Sequence, residues 1–336
     1  MENKKQQLNN NEQPIKVEYT RYDAGTFSLL ATVAPLVMQA IFVAIVVYRF
    51  GINYTTSQDP LIIAIGLLVP QLSYLAAWML FNVFNPIKIC SANKLSSKIA
   101  YKNILPLVAI ALICVLGING LMEVLFQLIN GWGYGKAGSL SLVMNSFPTY
   151  LLGLFVMAVV PAIVEELFFR GVIVNGLKEQ GIKWQIFGSA IIFMLAHGNL
   201  LQMVYPFVLG ILLALILLKT KNLLACMLVH FVNNFVVVTA TYITTITKST
   251  FVPALSPLFI IVSIVFAVAS MLASLMLIKK LKTKNNVVST KTIDQIPDKQ
   301  TNAEISKNGA NTLLYLGIAV LVIVWVFNVI LQFKGV

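Results

Sequence analysis

Nine long apolar runs are the feature that most restricts how this chain can fold. A run of about 20 apolar residues matches the hydrocarbon thickness of a bilayer, and in lipid only helices and closed barrels satisfy every backbone hydrogen bond. The runs lack the period-two alternation of barrel strands. The sequence therefore predicts an all-α fold, a polytopic transmembrane helical bundle of about eight to nine spans. The runs lie at 27–48, 60–82, 103–128, 147–176, 184–198, 200–218, 223–247, 254–278 and 312–333.

Composition agrees with a membrane location and excludes a soluble enzyme. Only 11% of the 336 residues are charged, whereas soluble proteins carry about 25%. The net charge is +12, but the basic residues lie in short loops between apolar runs, which is typical of the positive-inside bias. We therefore expect the lipid bilayer as a partner, and no nucleic acid.

The distribution of basic residues predicts the orientation of the chain. With a cytoplasmic N-terminus and nine crossings, 19 Lys and Arg residues fall inside and 4 fall outside, and Arg170 lies within a run. The bias towards inside loops predicts a cytoplasmic N-terminus. Lys outnumbers Arg 21 to 3, which we interpret as the bias of an AT-rich bacterial genome, so a bacterial plasma membrane is expected. The 184–198 run is short for a span, and with its successor it could form a hairpin that does not fully cross.

Six ionisable side chains lie inside the apolar runs, and they include both histidines of the chain. A charge near the bilayer centre costs about 2.5–3.5 kcal/mol, so such residues are functional candidates. The six residues are Glu123, Glu165, Glu166, Arg170, His197 and His230. Glu123 has no motif around it, and a solvated carboxylate near the membrane surface is its more ordinary interpretation.

The double glutamate of the fourth run predicts two different roles. Glu166 and Arg170 are i,i+4 neighbours in the orientation that favours an ion pair. Glu165 points about 100° away and is free to face another helix. One carboxylate can thus neutralise the arginine while the other remains available for chemistry. The alternative is a hydrogen-bonded clamp that only packs the bundle.

The later runs add groups that suit hydrolysis. His230 and Asn234 are spaced to lie on one helical face, and a carboxamide or an imidazole can donate a hydrogen bond to a developing oxyanion. His197 is a second base candidate. Hydrolysis of an acyl group needs a base, a positioned water and oxyanion donors. Each segment alone could have a purely structural role. The presence of all three in one chain favours a catalytic role.

These residues resemble the three ordered motifs of the CPBP intramembrane proteases, also called the CAAX protease and bacteriocin-processing, or Abi-like, family. The matching motifs are Glu165-Glu166-x-x-x-Arg170, Phe193-x-x-x-His197 and His230-x-x-x-Asn234, in that order on successive runs. The resemblance covers about 147–242. The resemblance implies a peptidase that acts on a peptide or protein substrate in the membrane. Its site would lie within the membrane and open towards the cytosol.

The resemblance also implies roles for the motif residues. Glu165 would activate water with the help of His197, and His230 with Asn234 would stabilise the oxyanion. Glu166, Arg170 and Phe193 would support the site. In eukaryotic relatives the reaction removes the last three residues of prenylated CAAX proteins, and bacterial relatives include bacteriocin-maturation, self-immunity and peptide-signal-processing proteins.

The need for a metal stays open on sequence alone. Glu165, His197 and His230 have the ligand types of a catalytic zinc site. The HExxH motif is absent, however, and the resemblance also permits a carboxylate that activates water directly. We favour the mechanism without zinc.

Two other functional classes remain as alternatives to an endopeptidase. A regulator or self-immunity protein could use the same fold without cleaving, and a proton-coupled transporter could use buried Glu and His residues. The absence of inverted repeats disfavours transport.

The apolar runs also divide the chain into six predicted parts. These are a cytosolic tail at 1–24, transmembrane helices at 25–145, a CPBP-like catalytic core at 146–247, a transmembrane helix at 248–278, a cytosolic linker at 279–311 and a C-terminal transmembrane helix at 312–336.

Overall fold

The computed structural model describes residues 18–51, 59–85, 95, 98–134, 142–248, 253–282 and 300–334. Over these residues the chain is helical and contains no strand, which confirms the all-α bundle. The principal helices are α1 (Arg21–Phe50), α2 (Pro60–Phe84), α3 (Tyr101–Gly131), α4 (Phe147–Val174), α5 (Trp184–Ala196), α6 (Val204–Thr220), α7 (Leu223–Thr247), α8 (Pro257–Lys280) and α9 (Gln300–Lys334).

Polar caps set several of the helix ends. Thr20 and Asp23 form a reciprocal capping box at the start of α1, and Asp59 accepts hydrogen bonds from the first amides of α2. Such caps satisfy backbone N–H groups that have no partner within the helix. Helix α1 ends at Gly51, whose φ of +60° is a left-handed conformation that glycine adopts without steric cost.

Seven of the helices are long and apolar enough to cross a membrane, whereas α5 and α6 are shorter. At 1.5 Å per residue they extend about 20 and 25 Å, less than the roughly 30 Å of hydrocarbon. This favours the hairpin alternative for the two runs. Its tip is held by Tyr134 beyond the end of α3, because the Tyr134 hydroxyl donates to Asn199 Oδ1 at 3.2 Å and accepts from the Leu200 amide at 2.8 Å.

Helix α4 lies in the centre of the bundle, in contact with α1, α2, α5, α6 and α7. Helix α8 packs along α3, and α9 packs along α1. The second contact is close because a Cβ added at Gly25 or at Gly317 would lie 2.8 Å from a backbone nitrogen of the facing helix. Small residues permit such approaches between helices in membranes.

Wide, π-type turns interrupt α4 at 155–159 and 166–174. Such turns change the backbone pairing of a helix and are frequent at functional sites. Two side-chain amides bond carbonyls in the second stretch. Asn175 Nδ2 donates to the carbonyls of Arg170 and Gly171 at 3.1 and 2.7 Å, and Gln185 Nε2 donates to Val174 O at 3.0 Å. The double glutamate therefore lies in a specially supported part of α4.

The final helix begins at Gln300, earlier than the predicted boundary at 312. Its first turns are polar, so the helix continues beyond the apolar segment that hydropathy detects. Residues 283–299 of the predicted linker and residues 1–17 of the predicted tail lie outside the described residues.

Candidate active site

Glu166 is the buried centre of a charged cluster. Its Oε1 accepts hydrogen bonds from Arg170 Nη1 at 2.9 Å and from His230 Nδ1 at 2.7 Å. The carboxylate is 0% exposed and Arg170 is 1% exposed. The predicted i,i+4 ion pair is therefore confirmed, and the structure adds a third partner from α7.

Glu165 faces a different helix from Glu166, as its helical direction predicted, although both carboxylates lie near His230. Its Oε1 accepts a hydrogen bond from Gln71 Nε2 at 2.7 Å, across the contact between α4 and α2. Its Oε2 lies 3.9 Å from His230 Nε2. This distance is too long for a direct hydrogen bond, and polar groups so separated commonly share a bridging atom.

Gln71 was missed by the sequence analysis because it is an uncharged residue in an apolar run. It follows Pro70, near the middle of α2. Its Oε1 is buried and has no hydrogen-bond partner among the described residues. A neutral amide deep in a predicted span was the available signal, since its polar atoms need partners in lipid.

Phe193 joins the charged cluster to His197. The Cζ atom of Arg170 lies 4.1 Å from the centre of the Phe193 ring, a cation–π contact. The His197 and His230 rings meet the same phenyl ring edge to face, at centroid distances of 4.8 and 6.2 Å. His197 Nδ1 lies 2.8 Å from Phe193 O. A carbonyl can only accept, so Nδ1 carries a hydrogen. His197 Nε2 has no hydrogen-bond partner among the described residues.

Asn234 lies beside the cluster and is oriented by its neighbours. Its Nδ2 donates to Met157 O at 3.0 Å, and its Oδ1 accepts from Asn233 Nδ2 at 3.2 Å. Asn233, which is fully buried, accepts in turn from the Tyr205 hydroxyl. Because a carboxamide nitrogen has two hydrogens, Asn234 keeps one donor beyond the bond to Met157.

Residues 147–236 match the family model described as type II CAAX prenyl endopeptidase Rce1-like. This segment is similar to that family, and we call it the Rce1-like segment. It contains all seven residues named in the motifs, and the resemblance to CPBP/CAAX proteases is confirmed there. At family level the match supports an intramembrane endopeptidase of the CAAX-protease type. Neither the curated proteins nor the solved structures give a significant match to the chain.

The possible zinc ligands of the Rce1-like segment do not form a ready metal site. Among the residues that the structure describes, no three His, Cys, Asp or Glu side chains are arranged to hold a metal ion. Glu165 and His230 approach each other, but His197 does not complete a group of three with them.

Glu123 lies outside the Rce1-like segment, on α3. Its Oε1 accepts a hydrogen bond from Gln127 Nε2 at 2.8 Å, and that amide also donates to Pro253 O at 3.0 Å. The residue lines a cavity of about 250 Å³ against the tip of the α5–α6 hairpin. The structure thus gives it partners away from the charged cluster.

Proposed function

We propose that this chain is an endopeptidase that hydrolyses peptide bonds of membrane-associated peptides or proteins, with Glu165 as the base that activates water. The arrangement around Glu165 is the observation that carries the proposal. Gln71 holds one carboxylate oxygen, and the other faces His230 Nε2 across 3.9 Å. A reacting water between these two groups could donate to the Glu165 carboxylate and accept from His230 Nε2.

We propose that both ring nitrogens of His230 carry a hydrogen. Glu166 accepts from Arg170, so it acts as a carboxylate and also accepts from His230 Nδ1. In the proposed resting site, His230 also carries a hydrogen on Nε2. Two carboxylates then face two cations, because Glu165 and Glu166 balance Arg170 and His230. Such balance reduces the cost of burying charge in a low-dielectric region.

The reaction then follows in two steps. Glu165 takes a proton from water while the water oxygen bonds to the scissile carbonyl carbon. His230 Nε2–H and the free hydrogen of Asn234 Nδ2 stabilise the oxyanion. As the C–N bond breaks, Glu165 returns the proton to the leaving nitrogen, giving a carboxylic acid and an amine. His197, with its free Nε2, assists in placing the water.

Comparative peptidomics of membranes tests the proposal. Cells that carry the wild type are expected to contain cleavage products that are absent from cells carrying Glu165→Gln. Glu123→Gln is the matched control, because it removes another carboxylate of an apolar run, one whose hydrogen-bond partner is Gln127 and not a residue of the charged cluster, and it should retain the products. Identical peptide sets for wild type and Glu165→Gln would contradict the proposal and favour the regulator or immunity alternative.

A further inference from the structure

A cavity of about 430 Å³ adjoins the Rce1-like segment at His197. Its other walls come from α1, α2 and α9, which all lie outside residues 147–236. The volume is within the range of about 300–1,000 Å³ that is common for ligand pockets. The family match therefore does not account for most of this cavity.

Helix α9 is fitted against the chain directly after His197. A Cβ added at Gly198 would lie 3.0 Å from Asn328 Nδ2, and Asn328 is one of the residues lining the cavity. The cavity therefore meets the candidate active site at His197, whereas Glu165 and His230 are not among its lining residues. A ligand placed in it would lie beside the His197 ring.

The lining is mostly apolar, and the polar side chains among it carry no fixed charge. Hydrogen-bonding side chains come from Thr32, Gln39, Asn328 and Gln332 in addition to His197, and the described lining residues include no Lys, Arg, Asp or Glu. Thr32 is 5% exposed, and its hydroxyl has no partner among the described residues. A buried polar group of this kind indicates that an additional partner completes the site.

The cavity is also placed to receive a ligand from the bilayer. Helices α1 and α9 touch through Gly25 and Gly317, and the cavity lies farther along the same two helices. Leu36 lines it and is 48% exposed on the apolar outer surface of the bundle.

We propose that this cavity binds an uncharged, extended stretch of the substrate next to the scissile bond, and that this stretch enters from the membrane. The inference rests on the proposed peptidase function. Amide and hydroxyl side chains both donate and accept, as a peptide backbone requires. A fixed cation for a terminal carboxylate is missing from the described lining, so the substrate chain continues through the cavity and cleavage is internal. An acyl chain would leave Thr32 and the amides without partners.

Peptide binding is measured on a variant that cannot cleave, so the result does not depend on catalysis. The probe is a fluorescent, uncharged apolar peptide with both ends blocked, compared with versions that carry one central Lys or one central Glu. Each is titrated into the Glu165→Gln protein in nanodiscs. The test variant is Gln332→Glu in that background, and the control is Gln202→Glu, an exposed glutamine outside the cavity.

We expect Gln332→Glu to weaken binding of the neutral peptide by about tenfold or more, because it places a charge without a counter-ion among uncharged lining residues. The Lys peptide should recover affinity with this variant, whereas Gln202→Glu should change neither peptide. Thr32→Val, which removes the unpaired hydroxyl without changing side-chain shape, should also weaken binding of the neutral peptide.

Equal affinities across the variants, or binding explained by detergent and lipid alone, would overturn the inference. If the peptides bind selectively but the wild type cleaves nothing, the proposed function fails and the cavity assignment stands. If Glu165→Gln abolishes cleavage while Gln332→Glu and Thr32→Val change no affinity, the function stands and this inference fails.

Discussion

Glu165 and Glu166 are neighbours in the chain, yet different side chains hold them. Glu165→Gln keeps the shape of the side chain and its place beside Gln71, but it removes the base. We expect this variant to insert and purify normally and to lose cleavage. Peptide cleavage and melting temperature, measured on the same preparation, check the prediction. Wild-type turnover by Glu165→Gln would show that the base has been assigned to the wrong residue.

Glu166→Gln should fail in a different way. It leaves Arg170 and His230 without their shared carboxylate, and breaking a buried ion pair costs about 3–5 kcal/mol. We expect a lower melting temperature in detergent. Replacing Glu166 and Arg170 together with apolar residues of similar size should recover part of the loss. A double-mutant cycle that couples Arg170 to Glu165 instead of Glu166 would refute these roles.

Gln71 is expected to position Glu165 without contacting the substrate. Gln71→Leu removes the donor at 2.7 Å, and leaving a buried acceptor unpaired costs about 1–3 kcal/mol. We expect kcat to fall by about tenfold or more with little change in KM. Ser73→Ala is the control, because Ser73 lies on the same helix and its hydroxyl donates within that helix, to Pro70 O. A fall confined to expression or melting temperature would indicate packing alone.

Chelators give a direct test of the metal question. Since the candidate ligands do not assemble into a group of three in the described residues, we expect chelators to leave peptide cleavage unchanged. Elemental analysis of the purified protein provides the second measurement. About one equivalent of zinc, together with inhibition that added metal reverses, would contradict the expectation.

Helical spacing was sufficient to predict part of this site. The pairing of Glu166 with Arg170 and the separate direction of Glu165 both follow from 3.6 residues per turn. The contact between His230 and Glu166 spans 64 positions in the sequence, so it depends on how α4 and α7 pack. Gln71 was not predicted as a site residue, because a search for charged groups in apolar runs does not detect a neutral amide.

Among the helices, α4 depends on support for its wide turns. Asn175 donates to two carbonyls of the stretch that carries Arg170. We expect Asn175→Leu to destabilise the fold by about 1–3 kcal/mol, because buried carbonyls then lose their donor. Asn119→Leu, at an exposed position on α3, is the control. Equal melting temperatures for the two variants would show that the wide turns need no such support.

Hydropathy located all nine principal helices but could not decide what α5 and α6 do. Their apolar composition equals that of a span, and only helix length distinguishes a hairpin from two crossings. The glycine at 198, with a φ of +61°, ends α5 directly after His197. A conformational requirement of this kind concerns a single residue. Hydropathy averaged over a window of many residues does not detect it.

For the complete bundle, the side on which each terminus lies remains a prediction. Seven long helices give an odd number of crossings, and the α5–α6 hairpin adds either none or two. The termini are therefore expected on opposite sides, with the N-terminus inside because of the basic bias.

Cysteine labelling in a cysteine-free background checks this orientation. Ser289→Cys should be protected from an impermeant maleimide in intact cells, whereas Ser139→Cys should react. Both positions lie outside the described residues, so their accessibility is predicted from the order of the helices alone. Reaction of Ser289→Cys in intact cells would overturn the orientation.

The separation of α9 from the matched segment has a consequence for how such a protein can diversify. The residues proposed to carry out hydrolysis all lie within 147–236, and Gln71, which holds Glu165, lies outside that segment. Asn328 and Gln332 of the cavity belong to the last helix. Mutations in that helix are therefore expected to alter which substrates bind in the cavity, without changing the residues proposed to hydrolyse the peptide bond. Exchange of the C-terminal helix between relatives is the smallest recombination expected to create a new preference in a single event.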